Sequence, residues 1–198
     1  MKHIFKQGTN GKTIILLHGT GGNEHDLIEI GDFIDPEANL LGIRGNVLEN
    51  GLPRFFKRLS FGVFDEDNLI EETHHLQEFI DESIAKYKLD PEKMSAIGYS
   101  NGANILASLL LFHPNMIKKA MCLHAMVPIR NIEVKRHLNT KVLLTLGIED
   151  EIVNPNEVFE LKEMFEIRDI KVDLFETPYC HQITKMELNH LKKWYNNN

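Results

Sequence analysis

Met94-Ser95-Ala96-Ile97-Gly98-Tyr99-Ser100-Asn101-Gly102 decides the fold, because an apolar run ends there in a glycine-flanked serine and a helical run, 103–112, starts at once. A strand that turns sharply into a helix forces its turn residue into a strained backbone, and a glycine on either side removes the side chains that would collide. The Ser100 hydroxyl is then lifted clear of the sheet. The helix behind it aims backbone N–H groups at the space above that hydroxyl, which suits a developing negative charge. A bare G-x-S-x-G string is weak, since glycine and serine are common in turns. The strand before it and the helix after it give the string its weight.

Working outward, short apolar runs alternate with longer segments of helical period. This is the pattern of a parallel sheet covered by helices on both faces, and it defines an α/β fold with a mostly parallel central sheet and no large cap domain. Six parallel strands are expected over 13–18, 39–43, 93–99, 119–123, 141–147 and 171–176. Helices are expected over 24–34, 69–88, 101–112, 156–167 and 183–195. Asn154-Pro155-Asn156-Glu157 supplies an N-cap, a proline at the first helical position and a glutamate placed for a capping box, and Asn68 with Glu71 follows the same logic. Ile14-Ile15-Leu16-Leu17 and Val142-Leu143-Leu144 do not alternate with polar residues, so both faces of those strands are covered. Ligand sites in such sheets lie beyond the carboxyl ends of the strands, where the loops after His18, Tyr99, Leu123, Gly147 and Glu176 converge.

The 198 residues fit one domain, 1–198, and a chain of that length buries roughly 70% of its unfolded surface. A net charge of -7 argues against nucleic acid and anionic membrane as partners. Met1 to Gly8 lacks the apolar segment of a secretory signal and no stretch approaches a membrane span, so the expected location is the cytoplasm. Two separated cysteines, Cys122 and Cys180, suit free thiols in a reducing compartment. The oligomeric state stays open, a homodimer included.

A serine hydroxyl needs a base to take its proton, and that base needs a partner to fix its tautomer. Ile148-Glu149-Asp150-Glu151 and Tyr179-Cys180-His181-Gln182 supply the acid and the base on loops after late strands. His181 is the one histidine of ten that follows both Ser100 and the acidic loop at the end of a late strand. His190 and His137 read as solvated, His113 as a cation at a helix end, and His74-His75 as surface rather than a metal pair. His18 and His124 end strands at the functional edge, where a structural hydrogen bond is the expected role, with His124 also a candidate for the pocket wall. Among Glu149, Asp150 and Glu151, a short carboxylate on a rigid turn favours Asp150. The oxyanion site needs two N–H groups, one from Asn101 and one from Gly19-Thr20-Gly21-Gly22, with Thr20 the expected donor. That glycine-rich loop lacks the spacing of a phosphate cradle.

These motifs resemble the α/β-hydrolase superfamily and, within it, the phospholipase/carboxylesterase group that includes acyl-protein thioesterases. Leu17 to Gly22 resembles that group's oxyanion loop, Gly98 to Gly102 its nucleophile elbow, Gly147 to Val153 its aspartate loop and His181-Gln182-Ile183 its histidine loop. The segment from Arg44 to Arg58 is similar to a bacterial carboxylesterase branch linked to hydroquinone stress. Two departures stand out: Asn101 where thioesterase members carry Gln, and Cys180 where the group has Gly. Were that glycine needed for a positive φ, cysteine would be strained by about 1–3 kcal/mol.

The resemblance implies a cofactor-free, metal-free serine hydrolase of small acyl or aryl esters, with Ser100, Asp150 and His181 as triad and Thr20 and Asn101 as oxyanion donors. Thioester or lysophospholipid cleavage is the alternative, as is a non-catalytic protein that kept the fold. The expected partner is a small-molecule ester. His181 is expected to titrate near 6.5. The segment 44–67 has no clear periodic element and reads as a binding loop. There Phe55, Phe56 and Arg44 are the candidate substrate contacts, with anchoring of the loop to the core an equal alternative for Phe55 and Phe56, while Phe61 and Phe64 are expected to anchor the loop to the core.

Overall fold

The computed structural model describes all 198 residues. The chain runs β1 (His3–Lys6), β2 (Thr13–Leu17), α1 (Ile28–Ile34), β3 (Asn39–Ile43), β4 (Val47–Glu49), β5 (Leu52–Arg54), β6 (Arg58–Ser60), β7 (Val63–Phe64), α2 (Glu66–Tyr87), β8 (Met94–Tyr99), α3 (Asn101–Phe112), β9 (Lys119–Leu123), β10 (Lys141–Gly147), α4 (Pro155–Glu166), β11 (Lys171–Thr177) and α5 (Lys185–Asn197). Seven strands form one sheet in the order β1-β3-β2-β8-β9-β10-β11. Its six inner and late strands are parallel, and β1 pairs antiparallel with β3 at the edge. This is the mostly parallel, helix-covered sheet that the sequence pattern predicts and the α/β-hydrolase architecture that the resemblance implies.

The strand side chains divide by the two-residue period of a pleated strand. On β2, Ile15 and Leu17 join the larger apolar cluster under α2, α3 and α4, while Ile14 and Leu16 join the smaller one under α1 and α5. Burial of both faces explains why these strands read as unbroken apolar runs. No helix is long and apolar enough to cross a membrane.

Several boundaries differ from the sequence reading, each for a local reason. The 24–27 stretch is a turn rather than helix, because Asn23 accepts from the His25 N–H (2.9 Å) and donates to Asp26 (2.7 Å). Helix α2 starts earlier than expected, capped by Asp65, whose side chain accepts from the Asn68 N–H. Asn68 is therefore an interior residue, buried, and its side-chain carbonyl receives the Lys57 N–H (2.8 Å). Asn154 does cap α4, but Glu157 accepts from Val127 and Arg130 instead of closing a capping box. The reciprocal box is found on α5, between Thr184 and Glu187. The 44–67 crossover is two small hairpins, β4-β5 and β6-β7.

Candidate active site

Ser100 sits at the turn between β8 and α3 with φ 52° and ψ -115°, the strained elbow that its glycine neighbours permit. A Cβ added at Gly102 would lie 2.0 Å from the Leu17 carbonyl oxygen, and one at Gly98 would lie 2.3 Å from the Gly102 carbonyl oxygen. Only glycine lets these backbones approach. The Ser100 N–H donates to the Leu123 carbonyl (2.9 Å), which ties the elbow to the end of β9.

His181 follows β11 and Asp150 follows β10. The Ser100 Oγ lies 2.9 Å from His181 Nε2, and His181 Nδ1 lies 2.7 Å from Asp150 Oδ2. The Asp150 Oδ1 accepts the N–H groups of Ile152 (2.8 Å) and Val153 (3.0 Å). Burial pushes the Asp150 pKa up, but these N–H donors and the two histidines outweigh it and hold the carboxylate below its ordinary value. Burial dominates at His181 and draws its pKa below the ordinary 6.5 against the pull of Asp150, so the ring is neutral and able to accept a proton at neutral pH. Tyr99 donates its hydroxyl to the His181 carbonyl (3.0 Å) and steadies that loop. Cys180 is exposed and is not among the residues with positive φ, so cysteine at that position carries no such strain.

His124, wholly buried with φ 54°, directs Nδ1 to the same Asp150 Oδ2 at 2.9 Å. Its Nε2 faces Glu187 Oε1 at 3.5 Å, and neither of these two buried atoms has a hydrogen-bond partner elsewhere in the protein. Burial pulls the His124 pKa down, but Glu187 and Asp150 outweigh it and raise it above 6.5. His124, Asp150 and His181 place potential metal-ligating atoms within 4.8 Å of one another. In this arrangement both Nδ1 atoms face Asp150 as hydrogen-bond donors, with their lone pairs unavailable to an ion.

His18 shapes the loop below. Its Nδ1 donates to the Gly19 carbonyl (2.6 Å) and its Nε2 accepts the Gly45 N–H (3.1 Å). The Gly21 N–H is spent on Pro53 and the Gly22 N–H on Gly19, whereas the Thr20 N–H makes no hydrogen bond within the protein. The Asn101 N–H opens α3 and has no intrahelical carbonyl to bind. The sequence reading expects these two N–H groups as oxyanion donors.

The substrate-side expectations need correction. Phe55 and Phe56 are fully buried in the core, and Arg44 pairs with the buried Glu24, so none of the three lines the cleft at Ser100. Exposed Phe61 lines the cleft with Met126 and Ile152 instead of anchoring the loop, whereas half-buried Phe64 does anchor it, packing against the core and edge-on to Phe56 (5.0 Å), and also reaches the cleft wall. Arg54, Arg58, Thr20 and Asn104 complete its polar side. His137 is also buried rather than solvated, held between Leu110 and Thr140. Three asparagine side chains hold these loops in roles that the sequence does not signal: Asn101 accepts the Phe55 N–H (2.7 Å), Asn104 the Met126 N–H (2.8 Å) and Asn68 the Lys57 N–H (2.8 Å).

A serine, a neutral imidazole and a carboxylate in hydrogen-bonded sequence at the rim of this sheet define a hydrolase-type site. The chain belongs to the phospholipase/carboxylesterase family, whose model matches residues 4–198. It is 46% identical over 195 residues to the "Putative hydrolase MhqD" of Bacillus subtilis (strain 168), covering 98% of each chain. A carboxylesterase of Bacillus cereus superposes with a TM-score of 0.97 at 44% identity, over 100% of this chain and 94% of that one. YahD, solved with malic acid, superposes with a TM-score of 0.93 at 33% identity, over 99% and 98%. The chain is thus an esterase-type hydrolase of this family.

Proposed function

We propose that the protein is a serine carboxylesterase that cleaves small acyl or aryl esters through an acyl-enzyme. Ser100 Oγ attacks the ester carbonyl while its proton passes to His181 Nε2. Asp150 fixes the tautomer by accepting from Nδ1 and supports the imidazolium that forms. The Thr20 and Asn101 N–H groups receive the oxyanion, each worth about 10²- to 10³-fold in rate. Collapse of the tetrahedral intermediate expels the alkoxide, which takes the proton back from His181. Water, deprotonated by the same nitrogen, then releases the acid and restores Ser100. One observation carries this reading: the unbroken Ser100–His181–Asp150 chain at 2.9 and 2.7 Å. The two free cysteines, one buried and one exposed, support the cytoplasm as its compartment.

The decisive experiment is Ser100→Ala. The variant is expected to keep the circular dichroism spectrum and melting temperature of the parent, to lose p-nitrophenyl acetate hydrolysis, and to resist labelling by a fluorophosphonate probe that modifies the parent. Undiminished turnover or labelling in the variant moves the chemistry to another residue.

A further inference from the structure

The cleft above Ser100 is cationic on one side and has no carboxylate in its lining. Arg54, only 3% exposed, donates through Nε to the Phe56 carbonyl (3.2 Å) and through Nη1 to Thr20 Oγ1 (2.9 Å). Its acidic partner is Glu49, at 3.3 Å, and the same carboxylate accepts from Arg58 Nε at 2.9 Å. Two guanidinium groups therefore share one carboxylate. Elsewhere Arg130 has both Glu157 and Glu160, Arg136 has Asp169 and Arg44 has Glu24, while buried Arg168 has no carboxylate and directs its donors to the Met164, Ile132 and Glu133 carbonyls. A desolvated cation without a full counter-charge is costly, and planar guanidinium donors are suited to a carboxylate. Nη2 of Arg54 and both terminal nitrogens of Arg58 make no hydrogen bond to the protein.

We infer that Arg54 and Arg58 form an anion subsite, and that the preferred substrates of the Ser100 centre are esters bearing a carboxylate within a few bonds of the scissile carbonyl. The inference rests on the esterase reading above and deepens it. The carboxylate of the substrate supplies the second negative charge that the arginine pair lacks. Phe61, Phe64, Met126 and Ile152 pack against the hydrocarbon that joins it to the ester. The net charge of -7 repels anions at long range, but that field is screened over about 8 Å at physiological salt, so the local pair decides recognition.

The test compares near-isosteric esters with and without the charge, by pH-stat titration at physiological salt. Monomethyl succinate against methyl 4-methylpentanoate probes a carboxylate on the acyl side. O-acetylglycolate against isobutyl acetate probes one on the alcohol side. The expected result is a kcat/KM at least about tenfold higher for the anionic member of one pair, as a charge-assisted contact provides. Arg58→Gln is expected to shrink that ratio severalfold, and Arg136→Gln, in a remote exposed pair, to leave it unchanged. Hydrolysis of the neutral esters with no anionic preference in either pair overturns the subsite and leaves the esterase reading standing. Failure of every ester together with failure of Ser100 to react with fluorophosphonate overturns the esterase reading itself.

Discussion

Asp150 accepts four hydrogen bonds, two from backbone N–H groups on one oxygen and two from histidines on the other. Its second histidine, His124, is the residue whose own surroundings are most demanding, because Glu187 lies beside it with both side chains fully out of water. A proton on His124 Nε2 satisfies both of the facing atoms and turns two buried lone-pair groups into an ion pair. Removing one member of such a pair leaves an uncompensated buried charge and costs about 3–5 kcal/mol. His124→Asn is accordingly expected to lower the melting temperature strongly, and adding Glu187→Gln in the same chain to restore most of the loss, since Gln keeps the helix cap with Thr184 and removes the stranded charge. Additive losses in the double variant, measured by thermal melts at neutral pH, contradict the pairing.

At the scale of elements, the elbow between β8 and α3 is where local sequence and tertiary contact agree most closely. Gly102→Ala places a methyl group 2.0 Å from the Leu17 oxygen, backbone against backbone, so β2 and α3 must separate. The expected cost is about 1–3 kcal/mol with loss of esterase activity. Gly62→Ala meets only a methionine terminus at 3.7 Å and strains only its own positive φ, so a smaller loss is expected there. Equal melting temperatures for Gly102→Ala and the parent contradict the close approach. The same agreement explains what was legible in advance. Apolar runs with no alternation mark the central strands, and Ser100 and Asp150 stand out because each sits on a loop after such a strand, while His181 stands out because it alone of the histidines follows the last strand, β11, and precedes a helix. Strand β1 was missed because four residues at an edge carry little periodicity. The β4-β5 hairpin carries its sequence signal in Asn50-Gly51, whose φ values of 52° and 80° suit a tight hairpin turn. Cleft residues such as Arg54 and Phe61 have none, because the crossover that carries them is held by the sequence-distant Asn101, which accepts from Phe55, and Asn68, which accepts from Lys57.

For the molecule as a whole, the histidines couple the fold to pH. His18 and His137 are almost fully buried, and each accepts a backbone N–H on one ring nitrogen, from Gly45 and Asn115, which requires a neutral ring. Burial accordingly lowers the pKa of both, and it does the same at His113, His181 and His190. Only His124 is shifted upward. A histidine whose folded pKa is depressed contributes stability that is present above the unfolded value of about 6.5 and is lost as pH falls through the folded value. His124 acts in the opposite sense, with stability present below about 6.5 and lost as pH rises through its raised folded value. Five groups against one make the unfolded chain the better proton acceptor, so stability falls on acidification. The relief of the surface charge of -7 opposes this, but exposed charges are screened at 0.15 M salt while the buried rings are not. The melting temperature is expected to drop between pH 7.5 and pH 5.5 by about 2–4 °C for each kcal/mol of linkage, and a flat or rising profile over that interval contradicts the neutral buried rings.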